Sequence, residues 1–445
     1  MRWGLRWIGR VVRRIVVWTV LLGLMLTLLQ YSDYPRGIPW YAVAEVVANE
    51  QFDYVTWELQ ALGSKLDQTL YGIHPFLDEA AGVAQVRVYM QDLQRAQALD
   101  GEINAVLADP TVPDAEAASA NLRTERDALR RDLRTRQPLI EAILEGQVAQ
   151  VLVEQGFGVA GQVLPPVSAH FTRVPNLLIV SPRDQIRFDI SINVNPMSPD
   201  AMAALETRID AQLEVASLIV PLGGIALYPA MVLETASIPY ALDTIAHEWL
   251  HHYLFFYPLG LAYFSSDAFA GETRIINETT AALFGIEMSR LVLARFYPDL
   301  MGEALPDVAW DSLPAVNQLP LQAARMHFPG AQTGFDFSRE MDVTRRQVDA
   351  LLAARNVAEA EAYMEARRAL FVANGYLIRK LNQAYFAFYG GYQAGGNAGA
   401  AGADPIGPTV QALRELSPSL QEWVVTMRGI TTREGLLAVY ESVRE

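Results

Sequence analysis

The segment that most constrains this chain is HEWLHH, His247 to His252, set in an otherwise apolar run. In a helix, residues four apart share a face, so the rings of His247 and His251 point into one space. Leu242, Ile245, Ala246, Trp249, Leu250, Tyr253 and Leu254 surround them, which makes this a core helix. Burying two imidazoles and a carboxylate is costly unless something satisfies them. A metal ion does, and two imidazoles at this spacing can take two corners of a tetrahedral zinc site. Glu248 projects beside the first imidazole, within reach of a water in that space. His252 lies one step round the helix and is expected to pack behind the ligands or support them.

A zinc ion in a catalytic role needs a third protein ligand and one open position. The next histidine is His327, so the nearby candidates are the acids of GETRIINETTAALFGIEM. Glu278 is preferred, because Ala281, Ala282 and Gly285 follow it on one face and let two helices come close. Glu272 would point largely away when Glu278 faces the metal, and Asp267 is a more distant option. His170 or His327 could return in the fold as a further ligand.

These residues resemble the gluzincin zinc metallopeptidases, whose signature is HExxH followed by a glutamate on a later helix. HEWLH matches the first element and Asn277-Glu278 the second, and the likeness covers roughly residues 215–290. It implies His247, His251 and Glu278 as zinc ligands and Glu248 as general base in peptide hydrolysis. It also implies an edge strand, just before the active helix, against which an extended peptide lies. A hydrogen-bond donor for the developing oxyanion is expected from Tyr385, Tyr389 or Tyr392 in LNQAYFAFYGGYQAGG, with Tyr389 the chosen candidate. Plain aromatic packing is the competing account of all three.

Composition narrows the remaining classes. Apolar residues make up 51% and charged residues 19%, as in a folded protein. A net charge of −15 disfavours nucleic acid as a partner. With no cysteine there are no disulfides, thiolate metal sites or cysteine nucleophiles. At the N-terminus, Arg2, Arg6, Arg10, Arg13 and Arg14 precede an uncharged run from Ile15 to Leu29. That pattern predicts one membrane-spanning anchor, with the bulk of the chain outside the cytoplasm. A cleaved signal peptide is the rival reading.

From Glu79 to Gly156 the chain is rich in helix formers and broken at ADPTVPDAE, which predicts a long helical hairpin. It would serve as a spacer or packing element, or as a docking surface for a protein partner. Strands are expected around Phe171–Asn195, a helix from Ser198 to about Leu213, and two short strands joined across Gly223-Gly224. Thr344-Arg345-Arg346-Gln347 has the form of a capping box opening a helix. The expected fold is α+β: a mainly helical zincin-like domain with a small β-sheet, preceded by one transmembrane helix and the hairpin. The expected divisions are 1–30 anchor, 31–157 connector and hairpin, 158–300 zincin-like core, and 301–445 helices completing the cleft. The expected function is that of a zinc endopeptidase or aminopeptidase. An integral-membrane metalloprotease and a non-enzymatic, zinc-stapled envelope scaffold are the alternatives.

Overall fold

The computed structural model describes residues 2–28, 38–71, 77–264, 271–301, 335–394 and 399–445. It divides into two units, Met1–Ala48 and Asn49–Glu445. The first holds helices α1 (Arg2–Leu28) and α2 (Pro39–Val46). From Val12 to Met25 the side chains of α1 are exposed, Trp18 and Leu22 among them. Among the described residues no helix is long and apolar enough to cross a membrane, so the expected span is not found. The uncharged run fills only the second half of α1, and its last residue, Leu29, lies outside the described residues.

The second unit opens with α3 (Tyr54–Tyr71) and the hairpin of α4 (Glu79–Ala108) and α6 (Ala120–Leu152), with a short α5 (Ala115–Ala118) at the bend. Asp78 caps α4, its carboxylate accepting from Ala81 N–H at 2.7 Å. Charged pairs hold the outer part of the hairpin, including Arg95–Glu125 at 3.0 Å and Arg136–Asp92 at 2.6 Å. The inner half of α6 is different. Ile140, Leu144, Val148 and Leu152 are fully covered and belong to the same core as the helix that carries HEWLHH, so this arm is part of the body of the molecule.

Short strands follow. β1 (Gly158–Val159) and β2 (Gln162–Val163) make a small ribbon, and β3 (Ala169–Thr172), β4 (Asn176–Ser181) and β5 (Ile190–Val194) fall where the sequence predicts strands. Pro199–Leu213 is α7, capped by Ser198, whose hydroxyl accepts from Ala201 N–H. The next stretch corrects the expected strand pair: it forms three strands divided between two sheets. β6 (Ala216–Pro221) joins an antiparallel sheet in the order β5-β4-β6, while β7 (Gly224–Ile225) and β8 (Ala230–Leu233) join β3 in the order β3-β8-β7. The break comes at Leu222-Gly223, where the chain leaves one sheet for the other.

The two acids buried on α6 explain how the second sheet is seated. Glu141 accepts from Phe171 N–H at 2.8 Å and Glu145 from Ala169 N–H at 2.7 Å, satisfying donors on the outer edge of β3. Lys65 of α3 reaches both carboxylates at 2.8 Å and offsets their charge.

Helices α8 (Ile238–Leu254), α9 (Pro258–Tyr263) and α10 (Glu272–Phe296) build the centre. The C-terminal part supplies α11 (Phe337–Ala353), α12 (Val357–Ala373), α13 (Gln383–Tyr389), α14 (Ile406–Leu416), α15 (Leu420–Met427) and α16 (Arg433–Arg444). Asp336 caps α11, and Thr344 lies inside that helix with its hydroxyl bonded to Glu340 O at 2.7 Å. The capping-box pattern at Thr344 therefore opens nothing. One core joins α4, α6, α8, α10 and α14–α16, and a second packs α11–α13 on β4 and β6. The first core runs across the positions 157 and 300 at which divisions were expected.

Candidate metal centre

Ser237 opens α8 by accepting from Tyr240 N–H, and Pro239 sits in its first turn, where a missing N–H costs nothing. Trp249, on the side of α8 turned to the core, donates to Pro165 O at 2.8 Å and stacks on Phe284 of α10. That anchors the rotation of α8 and turns His247 and His251 toward α10.

The approach of α10 depends on its small residues. A Cβ on Gly285 would lie 2.4 Å from Asp243 Oδ1 and 3.2 Å from His247 Cβ. Ala281 and Ala282, both buried, extend the same close contact. The result brings Glu278 to the imidazoles. Glu278 Oε2 lies 3.6 Å from Nε2 of each histidine, and the two Nε2 atoms are 3.1 Å apart. All three side chains are buried, and together they form a group able to hold a metal ion. Ligands about 2.0–2.2 Å from a tetrahedral ion stand about 3.3–3.5 Å apart, so the triangle fits an ion of that kind.

The electrostatics follow from burying two bases and two acids together. Burial alone lowers the His247 imidazole, yet the Glu278 hydrogen bond and the charges of Glu248, Glu278 and Asp243 lift it to about 9. Burial raises the Glu278 carboxyl, but His251 and His247 overcome this and hold it well below the usual carboxylate range. Glu248 moves the other way: burial raises it, and the two histidines offset that only in part.

Glu248 faces the sheet. A Cβ on Gly224 would lie 2.3 Å from Glu248 Oε1, so only glycine lets β7 run this close to the carboxylate. β7 is one of the two edge strands of its sheet among the described residues. Beside His251 there is an apolar cavity of about 530 Å³, lined by Tyr228, His252, Phe255, Phe256 and Phe264.

The other candidates are separated by the fold. Glu272 is half-exposed at the start of α10, accepts from Arg433 N–H at 2.8 Å and does not face the histidines. His252 bonds Leu227 O at 2.6 Å, and its burial lowers the imidazole to about 4, so it packs as a neutral ring. His170 pairs with Glu141 at 3.0 Å instead of returning to the metal group. Asp267 and His327 lie outside the described residues. Tyr389 packs against Tyr385, the rings tilted at 43° with centroids 4.4 Å apart, and senses Arg379, whereas Tyr392 senses the charges of Glu278 and Glu248. Gly390-Gly391 separates the two along the chain, and of the two it is Tyr392 that feels the acids of the metal group.

Sequence reasoning missed Tyr263. Its hydroxyl donates to Glu278 Oε1 at 2.7 Å and its ring stacks on His251 at 5.7 Å. Its position twelve residues after His251, in an aromatic stretch, carries no periodic signal. Compared with known proteins, the chain matches no family model, no curated protein and no solved structure.

Proposed function

We propose that this protein is a zinc-dependent peptidase, with His247, His251 and Glu278 as the metal ligands and Glu248 as the general base. The observation that carries this reading is the buried triangle of two imidazole nitrogens and one carboxylate oxygen, with Glu248 one residue from the first ligand. Two histidines and a glutamate leave one tetrahedral position open, the arrangement of a catalytic zinc and not of a structural one. The likeness of HEWLH and Asn277-Glu278 to the gluzincin signature points the same way.

A zinc ion held there supplies Lewis acidity for the scissile carbonyl and makes water a better nucleophile near neutral pH. The chain does the rest. Glu248, raised by burial, accepts the proton of the attacking water and returns it to the leaving amine. The β7 edge offers backbone N–H and C=O groups to an extended peptide beside that carboxylate. Tyr263 fixes one oxygen of Glu278 so that the other faces the imidazoles. Tyr392, which senses the charges of Glu278 and Glu248, is assigned the donation to the developing oxyanion. The cavity beside His251 suits a bulky apolar side chain of the substrate.

The arginine-rich start and the exposed apolar side chains of α1 support a location at a membrane, with the activity outside the cytoplasm. The test is zinc analysis together with a peptide-library digest of wild type and Glu248→Gln. The variant should keep its zinc and lose about 10²–10⁴-fold in hydrolysis. Full activity in the variant would sink the mechanism.

A further inference from the structure

A second charged feature lies one turn from the metal group. Arg274 precedes Glu278 by four residues on α10, so both project from the same face. It is 97% buried (3% exposed). Its guanidinium rests on the Phe188 ring at 4.0 Å and near Tyr392 and Phe388 at 5.3 and 5.8 Å. Gly391 makes this seat possible, since a Cβ there would lie 2.0 Å from Arg274 Nη1.

Arg274 also lines a cavity of about 370 Å³ at the N-terminal end of α10, together with Arg187, Arg345 and Arg433. The other three have acidic partners: Asp189 at 3.0 Å, Asp349 at 2.9 Å, and Asp404 at 3.4 Å. No carboxylate pairs with Arg274 among the described residues. A buried guanidinium without a counter-charge is costly, and here the positive end of a 25-residue helix adds to the same field.

We infer that Arg274 is the anchor for the C-terminal carboxylate of the peptide substrate, which makes the enzyme one that cuts near the carboxyl end of a chain. Four residues of helix separate Arg274 from Glu278 by about 6 Å along the axis. An extended peptide covers about 3.3–3.6 Å per residue, so the carboxylate falls one or two residues beyond the scissile bond. Planar, bidentate recognition suits a guanidinium better than an ammonium. This inference rests on the peptidase reading and narrows it, because neither an endopeptidase nor an aminopeptidase needs that contact.

The experiment compares an N-acetylated Phe-Ala-Leu peptide as free acid and as C-terminal amide. Binding of both to the zinc-loaded Glu248→Gln protein is measured by calorimetry, and hydrolysis of both by wild type is followed in parallel. The acid should bind about 10- to 100-fold tighter than the amide, and the difference should vanish in Glu248→Gln/Arg274→Gln. Glu248→Gln/Arg274→Lys should keep only part of it. The acid–amide comparison keeps Arg274 intact, so it decides the matter even where the double variant does not fold. Equal binding of acid and amide overturns the inference. So does an amide carrying a terminal glutamate that binds as tightly as the acid, which would assign the site to an acidic side chain. Preference for the acid without any hydrolysis by wild type would leave the carboxylate site standing and defeat the peptidase reading instead.

Discussion

Glu278 decides the character of the site at the scale of single residues. Among the described residues it is the only acid that reaches both Nε2 atoms, and Tyr263 holds its other oxygen. Glu278→Gln should weaken zinc binding by more than about 100-fold, beyond what loss of an outer partner costs. Glu272→Gln should bind zinc like wild type, since that carboxylate faces Arg433. Tyr263→Phe should fall between them, at about 10-fold, because the ligand stays but one of its hydrogen bonds goes. Zinc affinities measured side by side by competition with a chelating dye check all three. A loss that follows Glu272 and spares Glu278 would refute the ligand set.

Between elements, the decisive contact is that of α8 with α10. The imidazoles and the carboxylate meet because Gly285 removes the side chain that would hold the helices apart. Gly285→Ala pushes against Asp243 and His247 and should cost about 1–3 kcal/mol, with weaker zinc binding as the ligands separate. Gly101, inside α4 with nothing within 4 Å of its would-be Cβ, provides the contrast. Gly101→Ala should stabilise by about 0.5–1 kcal/mol through helix propensity and leave zinc binding alone. Denaturant melts of the two variants give opposite signs. Destabilisation by both, or by neither, would mean that the packing of α10 on α8 is not what positions the ligands.

Across the whole molecule, the metal group sits inside the core that joins the hairpin, the central helices and the C-terminal helices. An ion bound there stabilises the entire second unit, since only the folded chain brings α8 and α10 together. At about 100 times its dissociation constant, free zinc should add about 2.7 kcal/mol to stability. A chelator should remove the gain, and His251→Ala should not show it. Scanning calorimetry with and without zinc measures the effect. An unfolding temperature indifferent to zinc would place the ion, if it binds, outside the folded core.

Local geometry was readable without a structure. The spacing of His247 and His251, the face shared by Glu278, Ala281, Ala282 and Gly285, and the caps at Ser198 and Ser237 each depend on residues a few positions apart. The i,i+4 periodicity of a helix fixes those relations wherever the helix lies. The hairpin limits were readable for the same reason, from helix formers broken by ADPTVPDAE. The tertiary structure decided what depends on distant segments meeting. It divided residues 216–233 between two sheets and drew the inner half of α6 into the core. It also set Tyr263 on the Glu278 carboxylate. Arg274 shows the reason most directly. In sequence it is an ordinary arginine in a first helical turn, and Phe188, Tyr392 and Gly391, brought from far along the chain, bury its charge with no acid paired to it among the described residues.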